Sequence, residues 1–405
     1  MKKTVLSALS AFTLMGVASE ASDVQLYQDA NGQVWTQPAK DRVAIKNSSN
    51  ETALFSKASK IKFSVDAFGG YTAHDYKSDT AGKTYKKDSQ KFELRRGYFQ
   101  VKAYMMDDPK SYYRITMDLK RDDDVDNGSY VVRAKYAYVN LHDLLPMTSL
   151  EAGLAHRPWH DYEEHNSWLY RSISEVLIED HNGAHLSNSA DLGAMLKTRT
   201  KYLDVDVGVF NGEGYHEDQN DGNGLSLEWR FTGHLLGTSS HHHPEKNRYL
   251  DASFFGQLNY KHNESVANSG VYDDLKFYGF HAVYNMPSFL LSAQYVTSQD
   301  TAKNSTYVSK GSGDGYSLNT EVRLGSKKNY KLLGRYDNWT PKAISGAVEY
   351  AQRTYIVGGA YKQNSNLEWV ANATITDNEE APANSMSSRE KYNGIAYMLT
   401  AELKF

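Results

Sequence analysis

The chain has 405 residues, a net charge of −4, no cysteine, 30 tyrosines and only 8 prolines. Near-balanced charge without a long block of one sign gives nucleic-acid binding no support, and the missing cysteines remove disulfide stapling and thiolate metal chemistry together. The mean hydropathy of −0.63 and the lack of any later stretch near the roughly 20 apolar residues of a membrane helix speak against helical spans, though not against a barrel, whose lumen side is polar.

In chain order, Lys2 and Lys3 precede an apolar run from Val5 to Val17 and small residues at Ala18, Ser19 and Ala21. This pattern predicts a secretory signal peptide over residues 1–22, with the mature chain starting near Asp23 and no cysteine to take a lipid. Residues 23–58 follow as a separate segment, in which Asn31-Gly32 between short apolar runs signals a hairpin. That segment is either a small periplasmic piece or one tucked into a lumen.

From residue 59 to 405 the sequence alternates apolar and polar in short runs. Strands are predicted near Ile61 to Tyr71, Lys91 to Tyr104, Ser111 to Lys120, Ser129 to Asn140, Ser149 to Arg157, Asp191 to Thr200, Tyr202 to Phe210 and Leu225 to Leu235. They continue near Tyr249 to Lys261, Asp274 to Asn285, Phe289 to Thr297, Tyr316 to Leu324, Tyr330 to Asn338, Tyr350 to Lys362, Leu367 to Thr376 and Lys391 to Phe405. The count is about sixteen, and short connections such as Met286 to Ser288 alternate with long ones such as Pro158 to Ala190, which is the loop asymmetry of a transmembrane antiparallel β-barrel. Gly237 to Arg248 is the exception, a long connection on the short side. The final run, Tyr397 to Phe405, is predicted to close the cylinder against the first strand. A soluble propeller would also show short strands, but it would repeat blade motifs, and none is visible.

If the apolar partner of each alternating pair faces lipid, the lumen can be read off. The second strand turns Phe99, Val101 and Ala103 outward and Arg96, Tyr98, Gln100 and Lys102 inward. The third turns Arg114, Thr116, Asp118 and Lys120 inward. The fourth turns Val132, Ala134, Tyr136 and Tyr138 outward and Arg133 and Lys135 inward, and the fifth leaves Arg157 inside. Seven cations, Arg96, Lys102, Arg114, Lys120, Arg133, Lys135 and Arg157, are thus expected on one wall. Such a wall either concentrates anions by focusing the field in a low-dielectric channel or reflects the ordinary polarity of a lumen.

The longest connection, Pro158 to Ala190, contains Trp168-Leu169-Tyr170-Arg171-Ser172-Ile173-Ser174-Glu175-Val176-Leu177-Ile178, too apolar for a solvated surface loop. It is expected to fold into the barrel as a constriction. Its charges are Asp161, Glu163, Glu164, Glu175, Glu179 and Asp180, with Arg171 the one strong cation. These acids either face the basic wall across the pore or point to the surface.

Several motifs resemble the phosphate-selective porin O and P family of Gram-negative outer membranes: Leu94-Arg95-Arg96-Gly97-Tyr98-Phe99, Gly153-Leu154-Ala155-His156-Arg157-Pro158-Trp159, Ser189-Ala190-Asp191-Leu192-Gly193 and Val209-Phe210-Asn211-Gly212-Glu213-Gly214-Tyr215. The resemblance implies a sixteen-stranded homotrimeric channel with a constricting third outward loop. It also implies phosphate, through lumen arginines and lysines on that loop, yet there is no lysine between Pro158 and Ala190. The expected function is therefore passive diffusion of small hydrophilic solutes and inorganic ions, leaning toward anions, with a phosphate- or polyphosphate-selective porin and a structural or adhesive barrel as alternatives.

The remaining constellations are weaker. His241 to His243 with His234 could chelate a metal, but a solvated tract accounts for them better, and a transient divalent site at His160, His165, His181 and His185 on the long loop is weaker still. Glu217 to Gly224 lacks the spacing of a calcium loop, and no Gly-x-Ser-x-Gly is present. No catalytic residue, cofactor or metal is expected; outer-membrane lipids are the expected surroundings.

Overall fold

The structure, a computed structural model, describes residues 27–29, 34–35, 37–44, 57–76, 88–121, 128–215, 224–237, 243–264, 272–300, 312–342, 351–379 and 393–405. Three short strands come first, β1 (Tyr27–Asp29), β2 (Val34–Trp35) and β3 (Arg42–Ala44), forming a small sheet in the order β2-β1-β3. β1 and β2 pair antiparallel on either side of the expected Asn31-Gly32 turn, which lies outside the described residues, as does the expected signal peptide.

Sixteen strands then close into one antiparallel barrel. They are β4 (Ala58–Tyr76), β5 (Ser89–Met105), β6 (Tyr112–Arg121), β7 (Tyr130–Leu145), β8 (Thr148–His156), β9 (Ala190–Arg199), β10 (Leu203–Phe210) and β11 (Ser226–His234). The second half comprises β12 (Tyr249–Glu264), β13 (Tyr272–Met286), β14 (Phe289–Asp300), β15 (Gly313–Leu324), β16 (Tyr330–Pro341), β17 (Gln352–Lys362), β18 (Leu367–Asn378) and β19 (Gly394–Lys404). Each strand pairs with its sequence neighbours, and β19 pairs with β4 to shut the cylinder, so no strand edge is left unpaired. At the seam Phe405 and Val65 exchange backbone hydrogen bonds in both directions, each 2.9 Å. Gly70 sits on the same seam, where any Cβ would collide with the Leu399 carbonyl oxygen, so only glycine allows β4 and β19 to approach.

Side chains are sorted opposite to a soluble protein. β15 shows it most simply: Tyr316, Leu318, Val322 and Leu324 are exposed on the outside, while Ser317, Asn319, Glu321 and Arg323 are buried inside. Phe63, Val132, Leu196, Phe231, Phe280, Leu291, Leu332 and Leu399 extend this outward apolar surface around the barrel. Burial of such a surface needs hydrocarbon rather than water, and closure of the sheet satisfies every backbone group inside the layer. No helix among the described residues is long and apolar enough to cross a membrane.

Candidate functional site

The inner wall of β4, β5 and β6 is assembled by register. Lys62 pairs with Lys102, and Lys102 pairs with Arg114, which places three cations side by side on one face of three adjacent strands. Aromatic rings flank them: the Lys62 ammonium lies 5.7 Å from the Tyr104 ring centroid, Lys102 lies 4.8 Å from Tyr112, and the Arg114 guanidinium lies 4.7 Å from Tyr136. Arg114 also contacts His156 Nε2 at 3.1 Å and donates to Thr116 Oγ1 at 3.0 Å. Among the described residues, none of these three cations forms an ion pair with a carboxylate. In the next layers Arg96 pairs with Asp118 at 2.5 Å and Arg133 approaches the same carboxylate at 3.8 Å.

Two of the β-bulges matter for this wall, one in β5, marked in the sequence by the doublet Arg95-Arg96, and one in β7, which left no mark. In β5, Phe68 pairs with Arg96 and Gly69 with Leu94, leaving Arg95 as an extra residue, so Arg95 and Arg96 both point inward. In β7, Thr116 pairs with Tyr136 and Met117 with Ala134, leaving Lys135 as the extra residue. The phase flips there. Tyr136 and Tyr138, expected against lipid, are instead inside, 7% and 1% exposed, and their rings pack around His156. Lys135 is buried among Tyr98, Tyr136 and Tyr215, 4.6 Å from the Tyr98 ring centroid. Arg157 is also placed differently from the expected open wall. It is 1% exposed and held at 3.0 Å by both Asp191 and Glu228, so its charge is neutralised within the structure.

The connection between β8 and β9 opens with α1 (Pro158–Asn166), which begins on a proline suited to the first helical turn and packs five of its residues out of solvent. Its Trp159 stacks on Phe255 of β12, centroids 3.7 Å apart, and Tyr162 Oη donates to Asp251 at 2.8 Å. Beyond α1 the loop runs along the inner face of the second half of the barrel. Ser167 donates to Ser292 at 2.7 Å, Tyr170 to Glu321, Ser172 to Glu402, and Asn182 to Thr354 at 2.8 Å. Trp168, Val176, Leu177 and Ile178 pack in one cluster with the inward residues Phe277, Val296, Trp339, Ile356 and Val370. Apolar side chains facing inward on β13 to β18 thus have a specific partner, the apolar face of this loop.

The loop's acids have four settings. Glu164, Glu175 and Glu179 converge on Arg171, at 3.0 Å and 3.5 Å for the first two. Glu175 reaches across to Arg96 on the wall at 3.4 Å. Asp161 lies 3.7 Å from His156 and 3.8 Å from Lys197, Asp180 accepts from Ser174 Oγ, and Glu163 accepts from the Trp159 indole at 2.6 Å. Burial, reinforced by the neighbouring Glu179 carboxylate, pushes Glu175 up, while Arg171 holds Glu179 well below the usual carboxylate range against the cost of its burial. Burial pushes Glu163 up to about 8, opposed by Arg335 and the Trp159 hydrogen bond.

Water access is uneven around the interior. Lys62 is exposed, Lys102, Arg114, Lys120 and Arg133 are half-buried, and on the loop Asp161 and Glu175 keep about a third and a quarter of their side-chain surface, 33% and 27%. Across the barrel, Arg230 pairs with Asp206, Arg335 with Asp337, and His234 with Asp251, all buried beneath the loop and within the wall. His234 is therefore held by carboxylates; His241 and His242 lie outside the described residues. His181 and His185 stack on each other, and no group of three or more His, Asp or Glu among the described residues is placed to hold a metal ion.

No family model matches the chain, and no curated protein matches its sequence. Solved structures do match in shape. An outer membrane protein of Vibrio cholerae, OmpT in a trimer form, is 10% identical with a TM-score of 0.55, over 85% of this chain and 99% of that one. OmpF of Salmonella typhi, in complex with daunomycin, is 12% identical with a TM-score of 0.56, over 85% and 97%. OccAB3 of Acinetobacter baumannii is 12% identical with a TM-score of 0.50, over 85% and 99%. The chain has the fold of the Gram-negative outer-membrane β-barrels, and its outward apolar surface is the one such a barrel turns to that membrane.

Proposed function

We propose that this chain is a porin, a water-filled channel in a Gram-negative outer membrane that passes small hydrophilic solutes and inorganic ions down their gradients, with a lean toward anions. The observation that carries the reading is the row Lys62, Lys102 and Arg114: water-accessible, adjacent by strand register, and without an ion-pairing carboxylate among the described residues. Inside a low-dielectric wall such a row raises the local concentration of anions without any bond being made or broken. The loop over residues 157–189 is the constriction in this account, because its apolar side fills one half of the interior and its Glu175 meets Arg96 on the other. A homotrimer is the proposed assembly, supported by the trimer form of the Vibrio cholerae protein with the same fold.

Reversal potentials across a potassium chloride gradient in a planar bilayer test the reading. An anion-leaning potential that weakens when Lys102 and Arg114 are replaced by alanine supports it; a cation-leaning wild-type channel overturns the anion part. The narrower phosphate-selective reading is supported by the ordered motifs and by the same cation row. Block of chloride current by micromolar phosphate would establish it, and the loop without lysine argues for a general channel instead.

A further inference from the structure

The bulge in β5 does more than add a charge to the lumen. Arg95 Nη1 donates to the Ser172 carbonyl oxygen of the long loop at 3.1 Å and to Thr400 Oγ1 of β19 at 2.7 Å. Its Nη2 donates to Thr72 Oγ1 of β4 at 3.1 Å, and its Nε to Glu93 of β5 at 3.3 Å. One side chain thus ties the loop to β19, β4 and β5, the three strands that meet at the barrel seam. Ser172 is gripped a second time, its hydroxyl donating to Glu402 of β19. Without the extra residue, alternation would carry Arg95 to the lipid side, where Leu94 points, and the loop would lose this attachment.

The adjacent Arg96 has a different set of partners, Asp118 and Glu175, and both are carboxylates. Arg95 has one carboxylate neighbour and three neutral acceptors set in different directions, which suits the rigid, five-donor fork of a guanidinium and no other side chain. The loop is also held by Tyr162, Ser167, Tyr170 and Asn182, and the segment itself by Ser172 Oγ on Glu402 and by Arg335 Nη1 on the Glu175 carbonyl oxygen at 2.6 Å, so loss of Arg95 loosens the segment around Arg171 to Glu175 without releasing the loop. That segment carries Glu175, the loop group that reaches the basic wall.

We infer that Arg95 is a positioning residue that fixes the aperture of the channel, by latching Ser172 to the β19-β4-β5 seam, while Arg96 beside it balances the Asp118 and Glu175 carboxylates. This rests on the channel reading above. It separates two properties that a pore arginine usually combines.

The test uses full-length protein in planar bilayers and in liposomes, with folding checked by heat-modifiable mobility on gels. Arg95→Ala is expected to raise single-channel conductance in molar salt roughly 1.5- to 2-fold, and to admit larger neutral sugars in liposome swelling, with little change in reversal potential. Thr400→Val removes one latch contact and no charge, and is expected to move conductance in the same direction by less. Arg96→Ala is expected to do the reverse, shifting the reversal potential with a smaller effect on the sugar cut-off. Folded Arg95→Ala with wild-type conductance and cut-off overturns the latch, as does an Arg95→Ala that only shifts the reversal potential. If Arg95→Ala does not fold, an unchanged Thr400→Val channel overturns it. Silence of the wild-type protein would defeat the channel reading itself, whereas a conducting wild type beside an unaltered Arg95→Ala defeats the latch alone.

Discussion

Replacing Lys62, Lys102 and Arg114 together by alanine removes a whole row of cations from β4, β5 and β6 while leaving the carboxylate-paired Arg96 and Arg157 in place. An ion passing about 8 Å from each side chain gains about 0.5 kcal/mol per charge in water, or about 1.5 kcal/mol from the row. At 0.1 M salt the Debye length of about 10 Å cuts this to about 0.7 kcal/mol, enough to enrich an anion about threefold and deplete a cation by about the same factor. The anion-to-cation permeability ratio should therefore fall by up to about tenfold in the triple variant at 0.1 M, and by less than about 1.5-fold at 1 M, where the Debye length is about 3 Å. Reversal potentials at the two ionic strengths measure both numbers. An unchanged ratio at low salt would refute the reasoning, and so would an equal change at both salts, since that would make the effect steric rather than electrostatic.

Three further outcomes are expected. Deleting Phe405 removes its paired backbone hydrogen bonds to Val65, at about 1 kcal/mol each, and should lower the urea midpoint for unfolding from lipid vesicles; an unaltered midpoint would mean the seam does not depend on the last residue. Leu291→Arg places a charge on the outward face of β14 and should cost about 2–4 kcal/mol if it lies near the midplane, measured by denaturant unfolding from bilayers, with a neutral result contradicting the lipid-facing assignment. Glu163, pushed up to about 8 by burial, stabilises the folded chain fully below its ordinary range near 4.5, and that stabilisation is lost as pH rises through about 8. Stability should therefore decline between about pH 5 and 8 and level off above, and Glu163→Gln should flatten the decline.

The strands were legible because a closed barrel writes the same two-residue period into each of them, as in Gly313 to Leu324, where burial alternates without a break. The seam was legible for the same reason, since Tyr397 to Phe405 needed a partner and the first strand offered the complementary edge. Bulges were not. One inserted residue at Lys135 reverses every side chain that follows, and tyrosine gives no warning, because a phenol suits a membrane interface and a polar lumen equally well. The doublet Arg95-Arg96 did carry a signal, two adjacent cations where alternation allows one. The fate of Arg157 depends on Asp191 in β9 and Glu228 in β11, and no local pattern around Arg157 announces a partner so distant in sequence. Lys62 was within reach of sequence reasoning, since Lys60, Lys62, Ser64 and Asp66 alternate with Ile61, Phe63 and Val65, but its significance comes only from lying opposite Lys102.

An open aqueous path beside the basic wall is what would make this barrel a channel. Single-channel recording of the folded, full-length protein in a planar bilayer tests it most directly. The account predicts stepwise, ohmic conductance that favours chloride over potassium and does so more strongly as salt is lowered. Folded protein that inserts without conductance steps would contradict it.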